Sequence, residues 1–349
     1  MEGSRIFKNE SVLSYEYLPE IFYHRDSQIK VISENLSFLM KGRKPNNIFI
    51  FGLPGVGKTA TVKFVFREFE NYSGIKTIYI NCWEYNTSTA ILSKITQELG
   101  YPVPRHGWSK DEIMEKLIEM LNKSYNSLVV CLDEADQLIY KDHSALYDLT
   151  RINQFSNKQP MLIFISNNKH IFAKVDPRIK SSLNLEEIEF KPYNLLEMKD
   201  IIKQRTDLAF FSVEQGVVLL VANTVLNFDG DVRVGLDCLL KAGRLAEEEN
   251  ADKLKVSHVK QSIVKLVKVK RELLKERVSE NEKIILKILE DGKEYTSSEL
   301  YLAYCKEAKN AVTERMFTNY INHLASLNLI SVRRKENVHG FTRVISKVD

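Results

Sequence analysis

The run Gly52-Leu-Pro-Gly-Val-Gly-Lys58-Thr59 sets glycines, a lysine and a hydroxyl at the spacing G-x-x-x-x-G-K-[ST]. Glycines let successive backbone N–H groups turn toward phosphate oxygens, and a helix starting at the lysine adds its positive dipole end. In that arrangement Lys58 meets the β- and γ-phosphates and Thr59 lends its hydroxyl to magnesium. Gly52, Pro54, Gly55, Val56, Gly57 and Ala60 wall the phosphates. A second group stands downstream, where the apolar run Val129-Val-Cys-Leu ends on Asp133-Glu134-Ala-Asp136. Asp133 is expected to hold the metal through water, and Glu134 to orient and deprotonate the attacking water. Asn167 follows the apolar run Met161–Ser166 and is expected to sense the γ-phosphate. Arg233, in Gly230-Asp-Val-Arg233, is expected at a helix start on a domain packing over the site, where it couples lid closure to the nucleotide. The expected chemistry is phosphoryl transfer to water, with Lys58, Asp133, Glu134, Asn167 and Arg233 as catalytic set. ATP or ADP and Mg2+ are the cofactors, with Thr59 and Asp133 on the metal.

Regular elements must position these groups. Asn47–Phe51, Thr77–Asn81, Ser127–Asp133, Met161–Ser166 and Glu186–Phe190 read as five strands separated by helical patterns, which predicts a parallel α/β sheet. The first four are nearly all apolar, as strands covered on both faces are. From Pro192 helical periodicity takes over, with helices expected over 195–210, 213–223, 230–250 and 256–278. The Lys- and Arg-rich part, 260–277, reads as a solvated helix face. From Ser279 a helix is expected over 281–290, a second capped by Ser297 or Ser298 and running through Lys309, and a third opened by Thr313. Leu329–Val332 and Thr342–Ile345 flank a polar turn and read as a β-hairpin. The expected domains are an extended segment (1–23), an ATPase core (24–191), a helical lid (192–278) and a winged helix-turn-helix (279–349).

The third C-terminal helix divides its faces. Met316, Phe317, Tyr320, Ile321 and Leu324 are apolar, and Arg315, Thr318, Asn319 and Asn322 recur at i, i+3, i+4, i+7. Arginine suits guanine edges and asparagine adenine edges in a major groove. From Arg315 onward six basic residues stand against two acids. Arg315, Thr318, Asn319, Asn322, Arg333, Arg334, Lys335 and Arg343 are the expected DNA contacts. The whole chain of 349 residues carries a net charge of only +4, so nucleic-acid contact must come from such local patches. No apolar run is long enough to span a membrane, and the first residues lack a signal-peptide pattern. Cys82, Cys131, Cys238 and Cys305 form no C-x-x-C pair, so reduced thiols in the cytoplasm, at the nucleoid, are expected.

The P-loop, Asp133-Glu-Ala-Asp136, Asn167 and Gly230-Asp-Val-Arg233, in that order, resemble an AAA+ ATPase. Tyr147-Asp-Leu-Thr-Arg151-Ile-Asn153, Val175-Asp-Pro-Arg178-Ile-Lys-Ser-Ser-Leu183 and Gly230-Asp-Val-Arg-Val-Gly-Leu-Asp237 resemble the archaeal replication initiators, relatives of the origin recognition complex and its helicase-loading partner. The resemblance covers roughly residues 15–349. It implies tight ATP binding, slow hydrolysis, recognition of double-stranded origin DNA and recruitment of the replicative helicase, with paralogous initiator subunits as further partners. It also implies an adenine pocket at His24 and Arg25, although the family's Pro-His-Arg-Glu reads Tyr23-His24-Arg25-Asp26 here. Arg178 lies near the family's trans-acting arginine, whose usual place is taken by Ser182. A weak finger suits a slow switch, since a finger contributes roughly 10³–10⁵ in rate. An ATPase-domain insertion, around residues 84–112, is implied to touch DNA. The wing tip, Glu336-Asn-Val-His-Gly340, is poorer in glycine and arginine than the family's, which predicts a weaker or shifted minor-groove contact. The alternative is a signalling or regulatory P-loop ATPase whose winged helix binds protein, and the basic hairpin and the phrase around Arg178 weigh against it. A clamp-loader-like ATPase is opposed by the C-terminal hairpin.

Overall fold

The computed structural model describes residues 4–104, 107–124, 127–142, 144–155, 160–308, 310–327, 329–337 and 340–347. The chain forms two compact units, Met1–Val259 and Lys260–Asp349.

The first unit opens with α1 (Asp26–Met40), β1 (Asn47–Gly52), α2 (Lys58–Ser73), β2 (Lys76–Asn81), α3 (Ser88–Glu98) and α4 (Lys110–Ser124). It continues with β3 (Leu128–Asp133), α5 (Ala135–Lys141), α6 (Ser144–Phe155), β4 (Met161–Ser166), α7 (Pro177–Leu183) and β5 (Leu185–Phe190). The strands make one parallel sheet in the order β2-β3-β4-β1-β5. That order seats β4 between the acid-tipped strand and the P-loop strand, so Asn167 leaves the sheet between Asp133 and Gly52. Every residue of β3 and β4 is buried. Alternate residues feed two separate cores: Phe49, Val130, Leu132 and Phe164 on one face, Ile48, Val129, Ile163 and Ile165 on the other. A period of two on two covered faces is why these runs are apolar throughout. On the edge strand β5 only Ile188 and Phe190 are buried, and Glu187 and Glu189 point outward.

The lid is built from α8 (Leu195–Ala209), α9 (Val217–Asn227), α10 (Val232–Glu248) and the start of α11 (Val256–Arg277), whose remainder lies in the second unit. A capping box between Asn194 and Glu197 starts α8. Helix α9 begins at Val217, four residues after the periodicity places it. Gly216 takes a left-handed φ of 97° immediately before it, and Val213 pairs with Leu254 instead.

The segment ahead of α1 is the largest departure from expectation. Expected only to be extended, it is packed as a strap on the lid. Ile6, Phe7, Val12 and Leu13 are buried, and Phe7 stacks on Phe210 at 5.0 Å. Arg205 of α8, itself buried, donates to the Val12 and Tyr17 carbonyls, both at 3.1 Å. Helix α10 makes room for the strap at Gly243, where a Cβ would overlap the Phe7 and Phe210 rings.

The second unit contains α12 (Glu280–Ile288), β6 (Tyr295–Thr296), α13 (Ser297–Glu307), α14 (Glu314–Ser326), β7 (Ile330–Asn337) and β8 (Gly340–Lys347). The strands form an antiparallel sheet, β6-β8-β7, giving the order of a winged helix. Thr296, not Ser297 or Ser298, caps α13, in a capping box with Glu299. The hairpin strands run longer than their apolar centres. Leu286, Tyr304, Phe317, Ile321, Leu324 and Ile345 form the core, with the Tyr304 hydroxyl donating to Asn281 Oδ1 at 2.8 Å. No helix among the described residues is long and apolar enough to cross a membrane.

Candidate nucleotide site and recognition helix

Strand β1 ends at Gly52 and α2 begins at Lys58, so the P-loop is the five-residue turn between a buried strand and a helix N-terminus. Gly57 occupies the N-cap with φ 90°, a conformation open to glycine at little cost, and no side chain caps the helix. The N–H groups and positive dipole end of α2 thus lie at the turn that would hold an anion. Lys58 is 6% exposed, and its Nζ donates to the carbonyls of Gly52 (2.9 Å) and Leu53 (2.8 Å) and to Asn167 Oδ1 (2.8 Å). Burial pulls its pKa down to about 8, against the opposing pull of Glu134 and Asp133.

Asp133 accepts hydrogen bonds through both carboxylate oxygens. Its Oδ2 accepts from Thr59 Oγ1 at 2.6 Å and from the Tyr79 hydroxyl at 2.7 Å, and its Oδ1 from the Glu134 N–H at 2.9 Å. The pairing of Thr59 with Asp133 puts two hard oxygen donors side by side, which fits magnesium; phosphate and water oxygens complete such a shell. Among the described residues no cluster of three or more His, Cys, Asp or Glu suits a metal.

Tyr79 went unnoticed in the sequence. The signal was its parallel register: Tyr79 pairs with Cys131 and Asn81 with Asp133, so the phenol and the carboxylate share a face of neighbouring strands. Burial and the Asp133 charge hold its proton on. Outer-shell donors of this kind cost about 10- to 100-fold in metal affinity when removed. Tyr79→Phe is therefore expected to raise the Mg2+ concentration for half-maximal nucleotide binding about tenfold, with metal-free affinity unchanged. An unaltered Mg2+ titration would mean that the phenol does not position Asp133.

Glu134 sits at the junction of β3 and α5 with φ 51°, unusual for a residue with a side chain. Burial, then the charges of Asp133 and Asp136, raise its pKa, making it a stronger base than an ordinary carboxylate. Asn167 Nδ2 donates to Glu134 Oε2 at 3.2 Å while its Oδ1 takes the Lys58 ammonium, so one amide bridges the cation and the base. Ser166 Oγ donates to Asp136 Oδ1 at 2.7 Å and ties α5 to β4.

Two groups act on the loop from outside it. Arg25, just ahead of α1, is 4% exposed. Its Nη2 donates to the carbonyls of Val56 and Lys191, both at 2.9 Å, and its guanidinium lies 3.8 Å from the Tyr193 ring centre. Arg25 thus braces the P-loop from behind. His24, with φ 60°, places Nε2 3.0 Å from Asp200 Oδ2 on α8. From the lid, the Val232 N–H reaches the Gly55 carbonyl at 3.4 Å, and Asp231 lies so close over Gly55 that a Cβ there would overlap its carboxylate. Arg233 is chelated by Asp231. Arg178 stands at the start of α7 with its side chain 91% exposed and is chelated by Asp176.

In the second unit, Arg315, Asn319 and Asn322 of α14 are exposed and Thr318 is half-buried, its hydroxyl turned back to the Glu314 carbonyl at 2.9 Å. Phe317, Ile321 and Leu324 are buried on the opposite face. Met316 is 48% exposed and lies one turn before Asn319, on the outer side rather than in the apolar face. Arg343 of β8 donates to Asn322 Oδ1 at 3.3 Å, joining hairpin and helix, and Arg333 is exposed. Arg334 and Lys335 belong to β7, but their side chains lie outside the described residues.

Family models match an AAA domain over residues 41–171 and a Cdc6 AAA+ ATPase-type lid domain over residues 199–263. The ORC1-type DNA replication protein 1 of Sulfurisphaera tokodaii is 38% identical over 351 residues, spanning 95% of this chain and 87% of that protein. The chain belongs to the ORC1-type DNA replication proteins. The Archaeoglobus fulgidus member is 36% identical, covering 98% of this chain and 88% of its own length. Among solved structures, the Aeropyrum pernix ORC1 protein in complex with DNA aligns with a TM-score of 0.70 at 29% identity, over 99% of this chain and 94% of that one. Membership of the ORC1-type family displaces the signalling-ATPase and clamp-loader alternatives.

Proposed function

We propose that the protein is a nucleotide-switched initiator of DNA replication: it binds ATP, hydrolyses it slowly, recognises duplex origin DNA and helps recruit the replicative helicase alongside paralogous subunits. The observation that carries this reading is the linkage of Lys58, Asn167 and Glu134 through one amide, in a chain whose family replicates DNA. Lys58 and the turn from Gly52 to Ala60 bind the phosphates. Mg2+, held by Thr59 and Asp133, supplies charge neutralisation on the phosphate oxygens when bound. Glu134 takes the proton of the attacking water, Asn167 keeps Glu134 in register with Lys58, and Arg233 carries the presence of the γ-phosphate to the lid. His24 and Arg25 line the base side of the pocket, Arg25 by holding Val56. Arg178 serves a neighbouring subunit's site, and its exposed, acid-paired state suits slow turnover.

DNA is proposed from the likeness to the Aeropyrum pernix protein and from the exposed polar face of α14. Arg315, Thr318, Asn319 and Asn322 meet base edges, while Arg333, Arg334, Lys335 and Arg343 meet phosphates. The test is binding to chromosomal origin fragments and to shuffled duplexes at graded salt, in ATP and in ADP. A preference of about 10³ or more that survives rising salt is expected. Equal, steeply salt-dependent binding to both would reduce the interface to a basic surface. In the same assay Arg333→Ala with Arg343→Ala lowers the salt slope by about 2. An unchanged slope would remove the hairpin from the phosphates.

A further inference from the structure

Arg233 is not loose above the site. Asp231, the N-cap of α10, closes a ring on it: Oδ1 accepts the Arg233 backbone N–H at 3.0 Å and its Nε–H at 2.9 Å, while Oδ2 accepts from Nη2 at 2.6 Å. The carboxylate also rests directly over Gly55 of the P-loop. An acid and the arginine it holds thus stand at the edge of the phosphate-binding turn. The planar guanidinium fork takes a carboxylate or a phosphate bidentately, but one pair of N–H groups cannot serve both. The chain uses the same device a second time. Asp176, the N-cap of α7, accepts the Arg178 backbone N–H at 2.8 Å and its Nε–H at 3.2 Å on Oδ1, and Nη2 at 3.0 Å on Oδ2. Asp-x-Arg at a helix start is therefore a reproducible local chelate that parks an arginine on its own cap.

We propose that Asp231 is a specificity-determining residue of the nucleotide site: its carboxylate competes with the γ-phosphate for Arg233 and so sets how strongly the protein prefers ATP to ADP. This rests on the reading of Arg233 as the γ-phosphate contact. ADP leaves the Asp231–Arg233 ring closed. ATP opens it, and part of the γ-phosphate's attraction is spent in doing so. The Arg233 side chain is 55% exposed, so water screens the pair and the effect is moderate, roughly three- to tenfold in the affinity ratio.

Asp231→Asn separates the two duties of the residue, because asparagine keeps the N-cap acceptor and lacks the charge. Affinities for ATPγS and ADP are measured calorimetrically in the unaltered protein, in Asp231→Asn, in Arg233→Ala and in the double variant. The expected result is a three- to tenfold rise in the ATPγS-to-ADP ratio in Asp231→Asn, a fall in Arg233→Ala, and no further change when Asp231→Asn is added to Arg233→Ala. A ratio that falls in Arg233→Ala but stays put in Asp231→Asn would overturn the competition and leave the Arg233 reading intact. A rise that persists in the double variant would assign the effect to plain charge repulsion and also overturn it. A ratio indifferent to Arg233→Ala would remove the reading of Arg233, and the proposal with it. Asp231→Ser, which caps equally without charge, takes the place of Asp231→Asn if that variant does not fold.

Discussion

Lys58→Ala lowers the affinity for ATP and ADP by at least about 30-fold while leaving the first unit folded. The ammonium is nearly sealed from water and makes three short hydrogen bonds, to Gly52, Leu53 and Asn167. Truncating one partner of a buried charge contact costs roughly 2–5 kcal/mol, which is the expected loss in binding. The folded protein is much less sensitive. Burial already disfavours the charged lysine, as its pKa near 8 records, so removing it relieves a cost as well as three contacts. Melting is expected to shift by only a few degrees. Fluorescent-nucleotide titration and a thermal melt on the same sample decide the matter. Near-native affinity would take the nucleotide away from this loop.

Glu134→Gln leaves nucleotide affinity within about threefold and lowers the hydrolysis rate by roughly 10²–10⁴, the usual worth of a positioned general base. Two features isolate this effect. Glutamine keeps an acceptor for the Asn167 amide, so the Lys58–Asn167 contact survives. The upward pKa shift of Glu134 comes first from burial and then from Asp133 and Asp136, so removing its charge relieves repulsion on Asp133 rather than harming the metal ligand. Single-turnover phosphate release beside a binding isotherm separates the two quantities. Full hydrolysis in Glu134→Gln would transfer the proton to another group.

Much of this site was legible before any fold was known, because its parts obey local rules. Gly52 to Thr59 needs only a strand before it and a helix after it. Asp133 and Glu134 announce themselves as charges closing a run buried on both faces, and Asn167 as the polar end of the next such run. What escaped depends on residues the fold brings together from afar. Arg25 is expected beside the adenine, but its bracing of Val56 from behind appears only once the chain after β5 brings Lys191 and Tyr193 beside it. Tyr79 is one aromatic in an apolar strand until parallel pairing puts its hydroxyl on Asp133. Strand β6, at two residues, is too short to carry a period. In the N-terminal strap, Ile6, Phe7, Val12 and Leu13 follow neither a helical nor a strand spacing, since each fits a socket made by other elements.

That strap has a bearing on how the chain is made. Its socket is assembled from α8 and α10, and contacts such as that between Lys8 and Asp207 join residues 199 positions apart. During synthesis the strap leaves the ribosome well before its socket. At about 5–20 residues per second, Phe7 and its neighbours wait on the order of 10–40 s without a partner. The P-loop strand and the acid strand emerge within that interval, so the sheet has time to form before the lid is closed over it. The docking of the strap is then a long-range step that must follow the emergence of α8 and α10.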